Sequence, residues 1–523
     1  MISRIACVGG GPGGLFFATL IKQADPSVAV TVFERNRPDS TFGFGVVFSD
    51  ATLAAIHGAD PVLRGGLADH GRHWDRIEVR LKGERRSCGG NGMAAITRKT
   101  LLMLLQHRAT EVGVDLRFST EVSGLAELED YDLVVAADGA NSHIRGELED
   151  AFGSQVETAK AKFIWFGTTY MFDGLTFVHE RGPHGTFAVH GYPISDDAST
   201  FIVETDEHSW RAARLDEFDL AQPPGASDMK TKQYLEKLFA EQIDGHELLI
   251  NNSRWGNFRT RRTPRWHSGN VVLLGDAAHT AHFSVGSGTK MAMEDAVALA
   301  DALMSHRDDL AGALESYQDA RQPKVAKIQN SARPSLSWWE HFGRYHGALE
   351  PTQFAFHFFT RSIGCDKLAQ RDPKFVAEVE QAWRDGHGGR TVLDTPLTLP
   401  SASFPARQVV VSAAAGQRSA RAGDVSLRLL NEAPDVEESW GLWLAAPNEE
   451  SGLPTVSDRL AQQVAHGPEV VAVHAGTALT RALLSEQARL VHGMPTLLVE
   501  PDADPDRATT LVLSGRADLV GTA

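Results

Sequence analysis

Ile5-Ala6-Cys7-Val8-Gly9-Gly10-Gly11-Pro12-Gly13-Gly14 sets a short apolar run against a turn of glycines and one proline. Inside it lies Gly9-x-Gly11-x-x-Gly14, directly after the run and before a helix-like segment, Leu15–Lys22. The first glycine permits a tight turn. The second lets backbone approach a pyrophosphate, and the third lets helix and strand pack closely. Phosphates at such a helix N-terminus meet free N–H groups and the positive end of the macrodipole. Val28–Phe33 reads as a second strand, and Glu34 closes it about twenty residues past Gly14, where a carboxylate can accept ribose hydroxyls. A bare glycine triplet would equally be a Gly-rich turn. Strand, triplet, helix, strand and acid in register predict a dinucleotide site.

Working outward, Thr100–Val112 is amphipathic, with Leu101, Leu104, Leu105 and Val112 on one face, and Leu133–Ala137 is a buried strand. The α/β pattern resumes with strand Val271–Leu274 and helix Lys290–Met304. That order predicts parallel βαβ units. Between them, Phe163–Phe172, Thr186–Tyr192 and Thr200–Thr205 are aromatic and β-branched, and read as an inserted antiparallel sheet. A helical stretch, roughly Leu310–Trp383, is expected to break near Pro334 and Pro351. The domain boundaries expected are 1–160 with 260–330 for the dinucleotide domain and 161–259 for the sheet. A helical extension follows at 331–385, then a linker at 386–405 and a C-terminal α/β domain at 406–523. The tail has no lysine after Lys374, and its apolar runs are Gly441–Ala446, Val470–Val473, Thr496–Val499 and Ala517–Val520.

Composition bounds the partners. The 523 residues are 42% hydrophobic and 23% charged, enough for a sizeable core and against a disordered chain. Lys+Arg number 51 and Asp+Glu 67, for a net charge of −16, which argues against nucleic acid or an anionic membrane as partner. Cys7, Cys88 and Cys365 stand far apart, so neither a disulfide framework nor a cysteine-metal cluster is expected. No apolar run reaches the 18 or so residues of a membrane span. A cytoplasmic protein without a leader is expected.

Two further elements bear on which dinucleotide is bound. Asp138-Gly139-Ala140-Asn141 follows Leu133–Ala137, and Gly275-Asp276-Ala277-Ala278-His279 follows Val271–Leu274. Alone, each is a common turn or helix cap. With the fingerprint and Arg98 at a helix start, the set resembles the class A flavoprotein monooxygenases, the aromatic hydroxylases with the para-hydroxybenzoate hydroxylase fold. The resemblance covers about residues 1–385. It implies an α/β fold with an α+β insert: a Rossmann-like FAD-binding domain, an inserted antiparallel substrate sheet, and a small C-terminal α/β domain. It implies FAD held by Gly9, Gly11, Pro12, Gly14, Glu34, Arg35, Arg98, Val122, Asp138, Gly139, Gly275 and Asp276, with Gly286, Ser287 and Gly288 close to the flavin ring. Asp276 would hold the ribityl chain, and backbone N–H groups near Gly286 would stabilise negative charge on the reduced ring.

The wider family usually has a proline pair where this chain has Thr280-Ala281-His282-Phe283-Ser284, and an asparagine where it has Thr289-Lys290. Those departures, with Phe42–Asp50 and Ser199–Thr205, resemble the salicylyl-CoA 5-hydroxylase and aminobenzoyl-CoA monooxygenase branch. In that branch bifunctional members carry an old-yellow-enzyme-like barrel, and the tail here resembles its closing part. Residues 406–523 fall short of the about 250 of a complete barrel, so a partial barrel used for packing or homodimerisation is expected. No metal is expected, since His279 and His282 have no third ligand in view.

The chemistry implied is transfer of one oxygen atom from O₂ to an electron-rich ring by a flavin that NADH or NADPH reduces. No second glycine fingerprint is present, so the nicotinamide cofactor is expected to dock transiently. His190, Tyr192 and Val46 are pocket candidates, the first two sharing one strand face. Arg259, Arg261, Arg262 and Arg265 form a basic run suited to CoA phosphates, though each alone reads as a solvated surface residue. The substrate expected is an aryl-CoA thioester such as salicylyl-CoA. Aminobenzoyl-CoA, a free indole or phenol, and a non-catalytic flavoprotein that shields a reactive intermediate stay open. The purified protein is expected to be yellow, with one FAD per chain by absorbance after denaturation; two per chain would give the tail a flavin of its own.

Overall fold

The computed structural model describes residues 2–41, 43–219, 225–286, 288–414, 417–435 and 438–522. The chain forms two compact units. One comprises the residues up to Glu78 with Asn91–Glu340; the other comprises Val79–Gly90 with the residues from His341 onward. Two expected boundaries move. Residues 79–90 leave the dinucleotide domain, and the second boundary falls at 340/341 rather than 330.

The central sheet of the first unit has the order His267–Ser268, Val271–Leu273, Leu133–Ala136, Arg4–Val8, Ala29–Glu34, Asp115–Phe118. Every neighbouring pair except the first is parallel, with Ile5 between Val30 and Leu133. Such strands are buried on both faces, which is why they read as unbroken apolar runs. Leu15, Phe16, Phe17 and Ile21 of helix Pro12–Ala24 and Leu299 and Leu303 of helix Gly288–Ser305 join this core. Pro12 is the first helical residue, where its fixed φ suits the helix and its missing N–H costs nothing.

The inserted sheet runs Leu248–Leu249, Gln155–Thr168, Ser199–Thr205, Gly185–Pro193, Leu175–Gly182, all antiparallel. Strand Gly256–Arg262 also pairs with Gln155–Thr168, across an irregularity between Thr158 and Lys162. One face carries Ile164, Phe166, Val178, Phe187, Val189, Phe201 and Val203 against Leu235, Phe239 and Ile243. Side chains alternate along a strand, so Phe163, Trp165, Phe177, His190, Tyr192, Ile202 and Glu204 share the other face. A smaller sheet orders Gly45–Ser49, Met93–Thr97 and Arg72–Trp74.

Helix Leu310–Ala348 passes through both Pro323 and Pro334. The expected break at Pro334 does not occur, because Ala332, Leu336, Trp338 and Trp339 around it are buried. Their burial offsets the roughly 3 kcal/mol an interior proline costs. The break at Pro351 does occur, as a new helix starts there.

The tail is a closed barrel, not an open fragment. Gln408–Ala414, Gln417–Ala422 and Val425–Leu430 form an antiparallel meander. Gly441–Ala445, Val471–His474, Thr496–Glu500 and Leu519–Thr522 follow in parallel, and the last pairs with the first strand of the meander. Closure leaves no strand edge exposed. Trp443, Ala472, Leu497, Val499 and Leu519 fill the lumen; Leu442, Leu444, Val471 and Val473 face outward to Leu484 and Ala488. The expected linker is part of this core, since Leu399, Ala402 and Phe404 are buried in the lumen cluster.

A buried charge network holds the helices of this second unit to the barrel. Glu486 receives the Tyr345 hydroxyl, His357 Nε2 at 3.1 Å and Arg516 Nε at 3.4 Å. Burial would raise its carboxyl, but the hydrogen bonds and charges of His357, Arg516 and Tyr345 bring it down to about 2. Burial also lowers His357 to about 4. Both shifts are depressions, so both contribute stability at neutral pH that is lost as pH falls, from about 6.5 to 4 for His357 and from about 4.5 to 2 for Glu486. Among the described residues no helix is long and apolar enough to cross a membrane. Glu486→Ala strands Arg516 and is expected to cost about 3–5 kcal/mol, read as a lower urea midpoint for the transition of this unit; an unshifted midpoint would assign the network no structural weight.

Candidate active site

The glycine turn follows from steric exclusion. Gly9 has φ +114°, and a Cβ there would lie 2.3 Å from the Ala137 carbonyl oxygen. A Cβ at Gly14 would lie 2.3 Å from the Gly9 carbonyl oxygen. These two glycines bring the ends of strands Arg4–Val8 and Leu133–Ala136 together, and with them the Asp138-Gly139 turn. At Gly11, the cap of helix Pro12–Ala24, and at Gly139 the Cβ direction is open, with no atom within 4 Å. Glu34 accepts the Gly10 N–H at 2.8 Å and the Asn36 N–H and side-chain amide at 2.7 Å each. Arg35 is exposed beside it, while the Val122 side chain is buried in the core, leaving only its backbone for a ligand.

Arg145, which sequence reasoning missed, joins the two signature turns. Asp138 Oδ2 accepts from the His143 and Ile144 N–H groups at the start of helix His143–Glu147, whose N-cap is Ser142. Arg145 on that helix donates to the Ala140 carbonyl at 3.0 Å and the Ala277 carbonyl at 2.7 Å. The signal was present as Asp138-Gly139-x-x-Ser142-x-x-Arg145, a cap with an arginine one turn on. Asp138 Oδ1 is buried and accepts from none of the described residues. That orphan acceptor, beside the open positions at Gly11 and Gly139, fits a ligand bearing hydroxyls and phosphates.

The second turn is braced from below. Gly275 has φ +61° and its N–H donates to Asp295 Oδ2 at 3.2 Å. Asp295 also meets His279 at 2.7 Å and Arg321 at 2.7 Å, all buried. Asp276 lies deep among protein atoms, yet its side chain is exposed, as on the wall of a cleft. Burial raises its carboxyl, while His279 and Arg98 pull it down. Arg98 also acts on Tyr192, whose hydroxyl burial pushes up to about 12. Arg98, Asp276 and Tyr192 therefore share one electrostatic neighbourhood.

Beyond it, His282–Gly286 leads into helix Gly288–Ser305, with Gly286 at φ +60° and the Cβ directions of Gly286 and Gly288 open. Phe283 links this loop to the aromatic sheet face, 5.0 Å from Phe163, 6.1 Å from Trp165 and 5.5 Å from His190 between ring centres. Behind His190 and His282 stands Glu204, a buried carboxylate that sequence reasoning passed over; nothing in its local pattern distinguishes it from a strand residue.

The pocket candidates separate. His190 and Tyr192 do share the aromatic face, but Val46 packs into the dinucleotide-domain core opposite Ile96, and its neighbour Val47 turns toward Trp74, Tyr192 and Ile202. The basic run separates too. Arg261 is buried near Arg145, and Arg262 is bound to Gln329 at 2.8 Å and Asn330 at 3.3 Å. Only Arg259 and Arg265 of the four are exposed. Ser287 and Phe42 lie outside the described residues.

The sequence pattern of the family described as FAD binding domain matches residues 3–332. A Streptomyces protein named salicyloyl-CoA 5-hydroxylase is 59% identical over 519 residues, 99% of each chain. The 3-hydroxy-4-methyl-anthranilyl-[aryl-carrier protein] 5-monooxygenase of Streptosporangium sibiricum is 39% identical over 336 residues, 64% of this chain and 89% of its own. Among solved structures, p-nitrophenol 4-monooxygenase of Pseudomonas putida superposes with a TM-score of 0.55 at 18% identity, over 73% of this chain and 98% of its own, and shares the fold. The glycine turn, the two braced turns at Asp138 and Asp276 and these likenesses together make the chain a member of the FAD binding domain family and an FAD-dependent monooxygenase.

Proposed function

We propose that this enzyme inserts one oxygen atom from O₂ into an activated aryl-CoA thioester, with 5-hydroxylation of salicylyl-CoA to gentisyl-CoA as the leading reading. The observation that carries it is the 59% identity to a salicyloyl-CoA 5-hydroxylase, sustained over 519 residues and so through the barrel as well. The aromatic sheet face across from Phe283 supports it, as a water-poor wall suited to a planar ring. The anthranilyl-[aryl-carrier protein] in the name of the Streptosporangium relative favours a second reading, an aminobenzoyl-CoA substrate.

Bound FAD, reduced by NADH or NADPH, supplies the activation of O₂. The chain's residues hold and orient. Gly9, Gly11, Pro12 and Gly14 cradle the diphosphate; Glu34 and Arg35 take the adenosine ribose side, with Val122 by its backbone. Arg98, Asp138 and Gly139 contact the middle of the cofactor, and Gly275 with Asp276 the ribityl chain. The N–H groups around Gly286 and Gly288 meet charge on the ring. Arg259 and Arg265 are the arginines left to meet CoA phosphates. A net charge of −16 suits a cytoplasmic enzyme with a small-molecule substrate, without nucleic acid or membrane as partner. The deciding experiment compares free acids with their CoA thioesters in NAD(P)H oxidation and product mass. Substrate-gated oxidation with a gain of one oxygen is expected for the thioester; equal turnover of the free acid would replace the thioester reading with a small-phenol hydroxylase.

Asp276→Ala removes an acceptor for a ribityl hydroxyl, a charge-assisted bond contributing roughly 1.5–3 kcal/mol. FAD affinity of the reconstituted protein is expected to fall by about one to two orders of magnitude, and an unchanged Kd would reduce Asp276 to a turn residue. Arg259→Ala with Arg265→Ala is expected to raise KM for the thioester about three- to tenfold, the modest range of exposed charges. The same KM is expected to rise with salt, since such charges are screened over about 8–10 Å; a salt-insensitive KM would place the CoA phosphates elsewhere.

A further inference from the structure

Arg261 is 9% exposed, and its guanidinium makes no hydrogen bond or ion pair with any described residue. A charge held that deep without a partner is costly and calls for a counter-ion. The guanidinium is not sealed off, since its nitrogens keep contact with solvent. The backbone beneath it is pinned on both sides. Its N–H donates to Thr280 Oγ1 at 2.7 Å, and its carbonyl accepts from the Gln329 amide at 2.7 Å and the Thr280 N–H at 3.3 Å.

Two more arginines bear on the same place. Arg145 is 4% exposed and tied to the Ala140 and Ala277 carbonyls, yet its Nε has no hydrogen-bond partner among the described residues. Burial lowers both Arg145 and Arg261; Arg261 lowers Arg145 further, and Arg259 lowers both. The acids that act on this group are Glu149 and Asp138. Glu149 lies 3.7 Å from Arg145 Nε with its side chain 45% exposed, and Asp138 is engaged by the His143 and Ile144 N–H groups. Strand Gly256–Arg262 sets Arg259 opposite Thr158 and Arg261 opposite Val156. Residues directly opposite share a face, and Val156, Thr158 and Arg259 are exposed there, while Arg262 turns the other way to Gln329.

We propose that Arg261, with Arg145 and Arg259 beside it, is a phosphate site that takes the adenosine 3′-phosphate of a CoA thioester. The inference rests on the aryl-CoA reading above and names the residues that hold the nucleotide end. A phosphomonoester carries close to two negative charges at neutral pH, and a guanidinium can give it two parallel hydrogen bonds. The diphosphate of CoA carries one charge on each phosphate, so the monoester is the better match for paired cations. The pantetheine arm lets the nucleotide lie apart from the aryl ring. NADPH also bears a phosphomonoester, on its 2′ oxygen, but the nicotinamide cofactor is expected to dock transiently. A deep-set arginine suits the ligand that stays through oxygen transfer.

The test titrates the holoenzyme, with its own FAD in place, with 3′,5′-ADP, 2′,5′-ADP, 5′-AMP and inorganic phosphate by calorimetry. Tightest binding is expected for 3′,5′-ADP, with Kd rising about 10- to 100-fold in Arg261→Ala, the range of charge-assisted hydrogen bonds. Arg261→Lys should recover part of this, as it keeps the charge without the fork. Glu149→Gln removes a competing carboxylate from the surface and should tighten binding about two- to threefold, a gain that no folding defect produces. In turnover, Arg261→Ala should raise KM for salicylyl-CoA with kcat changed by less than about threefold, as for binding made equally in ground and transition states. If Arg261→Ala cannot be purified with its flavin, Arg261→Lys and Glu149→Gln carry the titration. An affinity for 3′,5′-ADP that these substitutions leave unmoved overturns the inference. Tighter binding of 2′,5′-ADP overturns it too, as does binding of inorganic phosphate alone. A thioester turned over no better than its free acid by the wild type fails the aryl-CoA reading instead, so the two failures are distinct.

Discussion

Two chain crossings in the first unit leave no room for a single carbon atom. A side chain at Gly9 would strike the Ala137 carbonyl, and one at Gly14 would strike the Gly9 carbonyl. The central sheet can close around Arg4–Val8 only with glycine at both places. That closure sets the helix Pro12–Ala24 against the sheet and opens its N-terminus to a phosphate. It also brings the Asp138-Gly139 turn alongside, and Arg145 then carries the tie onward to Ala277. The second signature turn is held at the far end of that chain of contacts.

Buried charge recurs wherever two distant segments must hold a register. Asp295 holds the Gly275 turn to helix Leu310–Ala348 through His279 and Arg321. Glu204 holds the sheet to the loop before helix Gly288–Ser305. Such groups are weak sources of net stability, since desolvation opposes their attraction. They are strict about geometry, because a small slip leaves a charge unpaired. The His282-Phe283 pair makes the second contact: His282 faces the carboxylate and Phe283 meets the aromatic face.

The tail shows how a short segment escapes the liability of open strand edges. Four parallel strands with helices between them would leave two edges unpaired. The meander 408–430 spans that gap, and Leu519–Thr522 closes on Gln408–Ala414. Sequence reading found the four parallel runs and underweighted the meander, because Gln417–Ala422 and Val425–Leu430 mix polar and apolar residues. Those residues alternate, with Ala420, Leu427 and Leu429 inward.

The sequence by itself determined the parallel sheet and the dinucleotide turn, and through the family resemblance its motifs carry it pointed to the cofactor class. Each rests on residues close together in the chain: a glycine triplet in six positions, an acid one strand later, an Asp-Gly after an apolar run. Local sterics and hydrogen bonds decide such features wherever they fall. What only the tertiary structure decided are pairings between residues far apart. Val46 and Val47 differ by one position, yet the pleat sends one into the core and the other toward the aromatic face. Arg261 and Arg262 alternate in the same way, so a basic run in sequence is no patch in space. Glu204 meets His190 from the neighbouring strand and His282 from a loop some eighty residues on. No periodicity encodes a contact that exists only after the sheet has folded against the loop.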